Sequence, residues 1–282
     1  MSTSEGVMMS SLGTDLRMLQ RDGGQLAFEV LGEGPLVVCL PGMGELRSSY
    51  RHNVRAVAAA GFRVTAVDLR GHGDSDATFA EYDDVAAATD ALALIEELGG
   101  PALLVGNSMG AGAAVWAAAE RPDLVAGIVL IGPFVRETPI NPLMAWAFRA
   151  AMSGPWAPAV WHAYLPSLSP GRKPADFSEH RAAIRESMRR PGHARAFAAT
   201  TRTSHAPAEA RLAEVQCPAL VVMGTADPDF PDPVREASWI VDHLANAEQL
   251  LVQGAGHYPQ AEEPEILNPA LIAFAHKVLP RA

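Results

Sequence analysis

The segment Gly106-Asn107-Ser108-Met109-Gly110 places a serine between two glycines, after the apolar run 102–105 and before the alanine-rich stretch 109–120. The apolar run reads as a buried strand, and Gly110-Ala-Gly-Ala-Ala114 reads as the start of a helix small enough to pack closely on a sheet. A sharp strand-to-helix turn strains the backbone of its middle residue. Glycines two positions to either side let the flanking chains approach. Ser108 Oγ is then expected above the sheet, where a developing oxyanion would meet the Met109 N–H and a helix N-terminus. A serine hydroxyl is a poor nucleophile near neutral pH, so this chemistry needs a base in hydrogen-bond reach and a third group to orient the base.

His257 is the candidate base. It stands in Gly254-Ala-Gly256-His257, just beyond the apolar run 249–252, where two glycines let a short loop project the imidazole over the strand ends. His52, His180, His193, His243 and His276 lie in helical or loop stretches without such punctuation. His162 and His205 fall in a later insertion and are candidates for touching substrate. For the orienting acid, Leu220-Val-Val-Met-Gly224-Thr-Ala-Asp227-Pro228 repeats the order strand, glycine, carboxylate, which selects Asp227. Asp229 and Asp232 follow closely, but Pro228 and Pro231 are expected to turn them toward solvent.

The elements that must hold these residues follow from the same reading. Two short runs around Asp22-Gly23-Gly24 predict an antiparallel hairpin over 16–30. The fully apolar run 36–40, ended by Pro41-Gly42, predicts a strand buried on both faces. Ser48 or Ser49 is expected to cap a helix reaching residue 60, followed by a strand over 62–67. Helix 84–98, strand 102–105, helix 109–120 and strand 127–131 continue the alternation that builds a parallel sheet. Strand signals then stop. Residues 134–212 hold helical stretches broken by prolines, and the alternation resumes with strand 219–223, helix 234–244, strand 249–252 and a last helix over 264–278. The expectation is an α/β chain: a mostly parallel central sheet with helices on both faces, a core of 16–133 and 213–282, a helical cap over 134–212 and a mobile tail over 1–15.

Composition narrows the class of function. Of the 282 residues, 49% are hydrophobic and 19% charged, enough apolar surface for one large core. The formal net charge of −10 opposes attraction to nucleic acid or an anionic leaflet. No window approaches the roughly 20 apolar residues of a membrane span. The N-terminus lacks a basic region followed by an apolar stretch, so a cytoplasmic protein is expected. Cys39 and Cys217 both sit in strand-like runs and are expected as buried reduced thiols. No grouping has metal-ligand spacing, so neither metal nor cofactor is expected. The partner is a small-molecule substrate, and the sequence leaves the oligomeric state open.

With these residues in place, the chain resembles the α/β-hydrolase superfamily over 16–279. Besides residues 106–110, the carriers are Asp68-Leu-Arg-Gly-His-Gly-Asp-Ser75 and Gly254-Ala-Gly-His257 followed by Glu262-Glu-Pro-Glu265. The order Ser108, Asp227, His257 is the order that fold uses. The resemblance implies that His72 belongs to a structural turn. It also exposes a departure: where the family shows His-Gly after the third strand, this chain has Pro41-Gly42-Met43-Gly44, so the second oxyanion donor is expected to be the backbone N–H of Met43.

Serine at the elbow favours acyl transfer over epoxide opening or dehalogenation, for which relatives carry aspartate. The expected reaction is hydrolysis of a carboxylic ester, thioester or lactone of a small to medium apolar substrate through an acyl-enzyme. The alternatives are carbon–carbon hydrolysis of vinylogous diketones, a cofactor-free perhydrolase or haloperoxidase, and a slow-turnover receptor. Substrate-lining candidates are Phe134, Met144, Trp146 and Trp161 of the insertion and Tyr258 beside the histidine.

Overall fold

The computed structural model describes residues 14–137, 142–154 and 156–279, with only the backbone at 142, 144 and 145. Residues 1–13 of the tail expected over 1–15 therefore lie outside the described residues. Thr14 is already tied to the sheet, its hydroxyl donating to Glu29 Oε2 at 3.0 Å. The hairpin forms as β1 (Leu16–Arg21) and β2 (Gly24–Leu31). Its register pairs Arg21 with Gly24, so Asp22-Gly23 is a two-residue turn, and Gly23 takes the positive φ of 93°.

Next come β3 (Leu36–Leu40), α1 (Val54–Ala59), β4 (Arg63–Val67), α2 (Asp84–Leu98), β5 (Ala102–Asn107), α3 (Met109–Glu120) and β6 (Val125–Ile131). The expected helix over 48–60 is shorter than the sequence implies. Residues Arg47–Tyr50 form a single 3₁₀ turn and the α-helix begins only at Val54. The two serines are occupied elsewhere: Ser48 Oγ lies 3.3 Å from His180 Nδ1, and Ser49 Oγ accepts from Gln260 Nε2 at 3.2 Å. Tyr50 pins the turn to the sheet through its hydroxyl, which reaches the carbonyls of Leu40 and Val105.

The insertion after β6 contains α4 (Pro142–Ala151), α5 (Ala157–Tyr164), α6 (Phe177–Arg189), α7 (His193–Thr200) and α8 (Ala206–Glu209). The sheet resumes with β7 (Ala219–Gly224), α9 (Pro233–His243) and β8 (Ala247–Val252), followed by α10 (Pro259–Glu262) and α11 (Pro264–Val278). Among the described residues, no helix is long and apolar enough to cross a membrane.

The eight strands form one sheet in the order β1-β2-β4-β3-β5-β6-β7-β8, antiparallel at β1/β2 and β2/β4 and parallel elsewhere. Alternate residues of each central strand feed two cores. Leu36, Val38, Leu40, Leu104 and Leu130 pack on one face with α2 and α3, and Val37, Cys39, Val105 and Val129 pack on the other with α1 and α11. Burying each such side chain contributes about 1.5–3 kcal/mol, so the strand ends are held rigidly. After β3 the chain steps outward to β4 and then returns to place β5 on the other side of β3. That reversal opens a crevice at the carboxyl ends of β3 and β5, the place where open parallel sheets bind ligands.

Candidate active site

Ser108 stands at this crevice, directly after β5, with φ 56° and ψ −121°. It is the non-glycine residue in the left-handed region among those described, and such strain persists only where surrounding structure fixes it. The flanking glycines are obligatory. A Cβ on Gly106 would stand 2.2 Å from the Gly110 carbonyl oxygen, and one on Gly110 would stand 2.4 Å from that of Leu40. The loop after β3 closes on the serine, since a Cβ on Gly42 would lie 2.8 Å from Ser108 Cβ. Met43 follows Gly42 in that loop and Met109 follows Ser108, and among the described residues no hydrogen bond is recorded for either N–H.

That loop is fixed through Gly44, which has φ 70°. Its N–H donates to His72 Nε2 at 3.0 Å, and its carbonyl accepts from Trp161 Nε1 of α5 at 3.1 Å. His72 Nδ1 lies 2.9 Å from the Arg70 carbonyl, which can only accept. The ring is therefore neutral with the proton on Nδ1, and burial, the main cause, lowers its pKa. His72 thus does more than shape a turn. Its own loop is braced by buried Arg47, which ion-pairs with buried Glu29 and Asp68 and with partly exposed Asp74.

His257 is constrained at every polar atom of its backbone and at its ring. Its N–H donates to the Leu168 carbonyl of the insertion at 2.8 Å, and its carbonyl accepts from Asn107 Nδ2 at 3.1 Å. The two flanking amides, Gly256 and Tyr258, donate to the two carboxylate oxygens of buried Glu262 at 2.9 and 3.1 Å. The ring Nδ1 lies 2.8 Å from Asp227 Oδ2. The order strand, glycine, carboxylate at the end of β7 thus delivers Asp227 to the histidine. Burial disfavours the imidazolium, but Asp227, Asp229 and Glu262 together outweigh it and push the His257 pKa up to about 9.

Asp229 departs from expectation. It does not face solvent: its Oδ2 is 3.7 Å from His257 Nδ1 and its side chain is 19% exposed. Asp227 Oδ1 accepts from the Asp229 N–H at 3.0 Å. That turn, mediated by an aspartate side chain, folds the chain back despite Pro228. Asp232 behaves differently and caps α9 by accepting from the Arg235 N–H. Asp227, Asp229 and His257 together offer three potential ligand atoms within 4.8 Å of one another, a grouping that sequence spacing did not reveal.

The substrate-lining candidates separate. The Phe134 ring lies 5.8 Å from that of His257, edge-on, and 4.9 Å from Phe230. Tyr258 is buried, with its ring 5.1 Å from that of His257. Trp161 is buried in the insertion's cluster with Met152, Leu165 and Phe197. Trp146 is 67% exposed on α4, so its placement does not support the expectation that it lines the pocket. The Met144 side chain lies outside the described residues. Of the insertion's histidines, His205 lies 2.8 Å from Asp84 of α2 and anchors the insertion to the core, while the His162 carbonyl accepts from Arg181. Sequence reasoning missed Tyr164, whose hydroxyl donates to Asp229 Oδ1 at 2.6 Å. Nothing in its local sequence signals that partner 65 residues away.

Comparison with known proteins gives a consistent result. A profile of the Alpha/beta hydrolase family matches residues 37–270. The 2-(acetamidomethylene)succinate hydrolase of Mesorhizobium japonicum is 30% identical over 260 residues, covering 86% of this chain and 88% of that protein. Epoxide hydrolase 3 of Siraitia grosvenorii is 32% identical over 137 residues, which span 47% of this chain and 43% of the relative's length. The crystal structure of bromoperoxidase from Bacillus anthracis shares the fold with a TM-score of 0.78 at 20% identity, covering 92% of this chain and 99% of the other.

Proposed function

Since the chain belongs to the Alpha/beta hydrolase family, we propose that it is a serine hydrolase that cleaves a carboxylic ester, thioester or lactone of a small to medium apolar substrate. Ser108 Oγ attacks the carbonyl carbon while its proton passes to His257 Nε2. Asp227 holds Nδ1–H and stabilises the imidazolium, and the oxyanion is received by the N–H groups of Met43 and Met109. His257 returns the proton to the leaving oxygen or sulfur, and then activates the water that releases the acid from Ser108. One observation carries this reading: a strained serine at the end of β5 beside a loop-borne histidine whose Nδ1 is 2.8 Å from the carboxylate after β7.

A serine at position 108 supports acyl transfer over the epoxide opening named for one relative. Epoxide opening through an alkyl-enzyme ester needs a carboxylate nucleophile, whose carbonyl carbon water can then attack, and position 108 offers a hydroxyl. The Mesorhizobium relative is named for a substrate bearing an acetamido group. This keeps an activated amide as a second reading at the same site, since acyl transfer to serine opens both bonds.

A panel of p-nitrophenyl esters of increasing chain length, run beside a vinylogous diketone and an N-acetyl enamide, tests the proposal. Turnover of the esters that disappears in Ser108→Ala is the expected result. Cleavage of the diketone with no ester turnover would replace this reading with carbon–carbon hydrolysis.

A further inference from the structure

The site holds one carboxylate more than this chemistry requires. Asp229 Oδ2 approaches His257 Nδ1 to 3.7 Å, beside Asp227 Oδ2 at 2.8 Å. Its other oxygen is fastened by the Tyr164 hydroxyl at 2.6 Å, and its amide is bound to Asp227 Oδ1. Among the described residues, no lysine or arginine lies within ion-pair distance of Asp229, and its cationic partner is His257 alone. A negative charge enclosed in this way is costly unless the imidazolium balances it. Burial and Asp227 raise the Asp229 pKa, while His257 and the Tyr164 bond oppose the rise.

Resting on the serine-hydrolase reading, we propose that Asp229, fastened by Tyr164 of the insertion, is a second positioning carboxylate for His257: it stabilises the imidazolium alongside Asp227 and accepts Nδ1–H when Asp227 is lost. The proton taken from Ser108 Oγ resides on Nε2, Nδ1 keeps its own, and Asp229 takes none, so each half-reaction balances as it would with a single acid. The tie to α5 gives the insertion a hold on the basicity of the histidine. The titratable groups around the ring are Asp227 and Asp229 from the loop after β7, Tyr258 from the loop after β8 and Glu262 from α10, with Tyr164 of the insertion acting through Asp229.

The test is the titration of the His257 ring, followed by NMR in histidine-labelled protein and assigned by its loss in His257→Gln. It is paired with the pH dependence of kcat/KM on p-nitrophenyl butyrate. In isosteric Asp229→Asn both midpoints should fall by about one pH unit, the scale of a close charge pair, and in Tyr164→Phe they should fall by less. Asp227→Asn/Asp229→Asn should lose on the order of 10⁴ in kcat, the loss found for the single acid of serine proteases, with Asp227→Asn alone at least tenfold better. An unmoved ring midpoint in both Asp229→Asn and Tyr164→Phe would overturn the inference, as would a double variant no worse than Asp227→Asn. Because the ring is titrated in the resting protein, a shifted midpoint without ester turnover would uphold the role of Asp229 and discard the proposed reaction.

Discussion

On the proposed reading His257 must be neutral to take the serine proton, yet its surroundings favour the charged form. Burial works against the charge, and the carboxylates of Asp227, Asp229 and Glu262 overcome it, raising the pKa to about 9 from the usual ~6.5. On the proposed reading kcat/KM should therefore climb with pH through a midpoint well above 6.5, losing about tenfold for each unit below it. A midpoint at or below 6.5 would mean that the carboxylates do not act on the ring as their distances imply. The same shift contributes to stability. A pKa raised on folding stabilises the native state fully below about 6.5, and that contribution fades as pH rises toward 9. Activity and this part of stability thus run in opposite directions across one window.

At the scale of elements, each candidate residue is positioned by a strand end and then by the loop that follows. The loop after β8 depends on Glu262, whose two oxygens receive the amides on either side of His257. Glu262→Gln keeps the shape but turns an amide NH₂ toward one of those N–H groups. We expect kcat to fall by about tenfold with KM changed by less than about threefold, as misplacement of a reacting group does. Loss of a buried acceptor should cost about 1–3 kcal/mol, read as a lower Tm. Equal loss in kcat and gain in KM would instead point to a binding role.

These strand ends were legible in the sequence because each carries local physics: an apolar run, a glycine that turns the chain, then a polar residue. Helix 84–98 and helix 109–120 were legible for the same reason, through alanine-rich periodicity between glycine and proline stops. The helix expected from Ser48 was misread because those serines bond to His180 and Gln260, partners far along the chain. Asp229 was misread because proline chemistry pointed outward, while a hydrogen bond to Asp227 turned the chain inward.

At the largest scale, a sheet carries the candidate chemistry and an insertion grips the loops that follow β3, β7 and β8. Trp161 bonds the Gly44 carbonyl, Leu168 accepts from the His257 amide, Tyr164 binds Asp229, and His180 meets Glu45 at 2.8 Å. The insertion thus bonds the loops after β3, β7 and β8, and on the proposed reading it would join substrate selection to the geometry of the site. On the proposed reading, a net charge of −10 and two carboxylates beside the histidine would favour neutral acyl substrates over polyanions.

The central claim is that an acyl group passes through Ser108. The most direct measurement is to quench the protein with acid during turnover of p-nitrophenyl butyrate, digest it and locate the butyryl group by mass spectrometry. The account predicts a butyrylated peptide carrying Ser108, absent from Ser108→Ala and accumulating in Asp227→Asn/Asp229→Asn if deacylation slows more than acylation. An adduct on any other residue, or steady turnover that continues in Ser108→Ala, would contradict it.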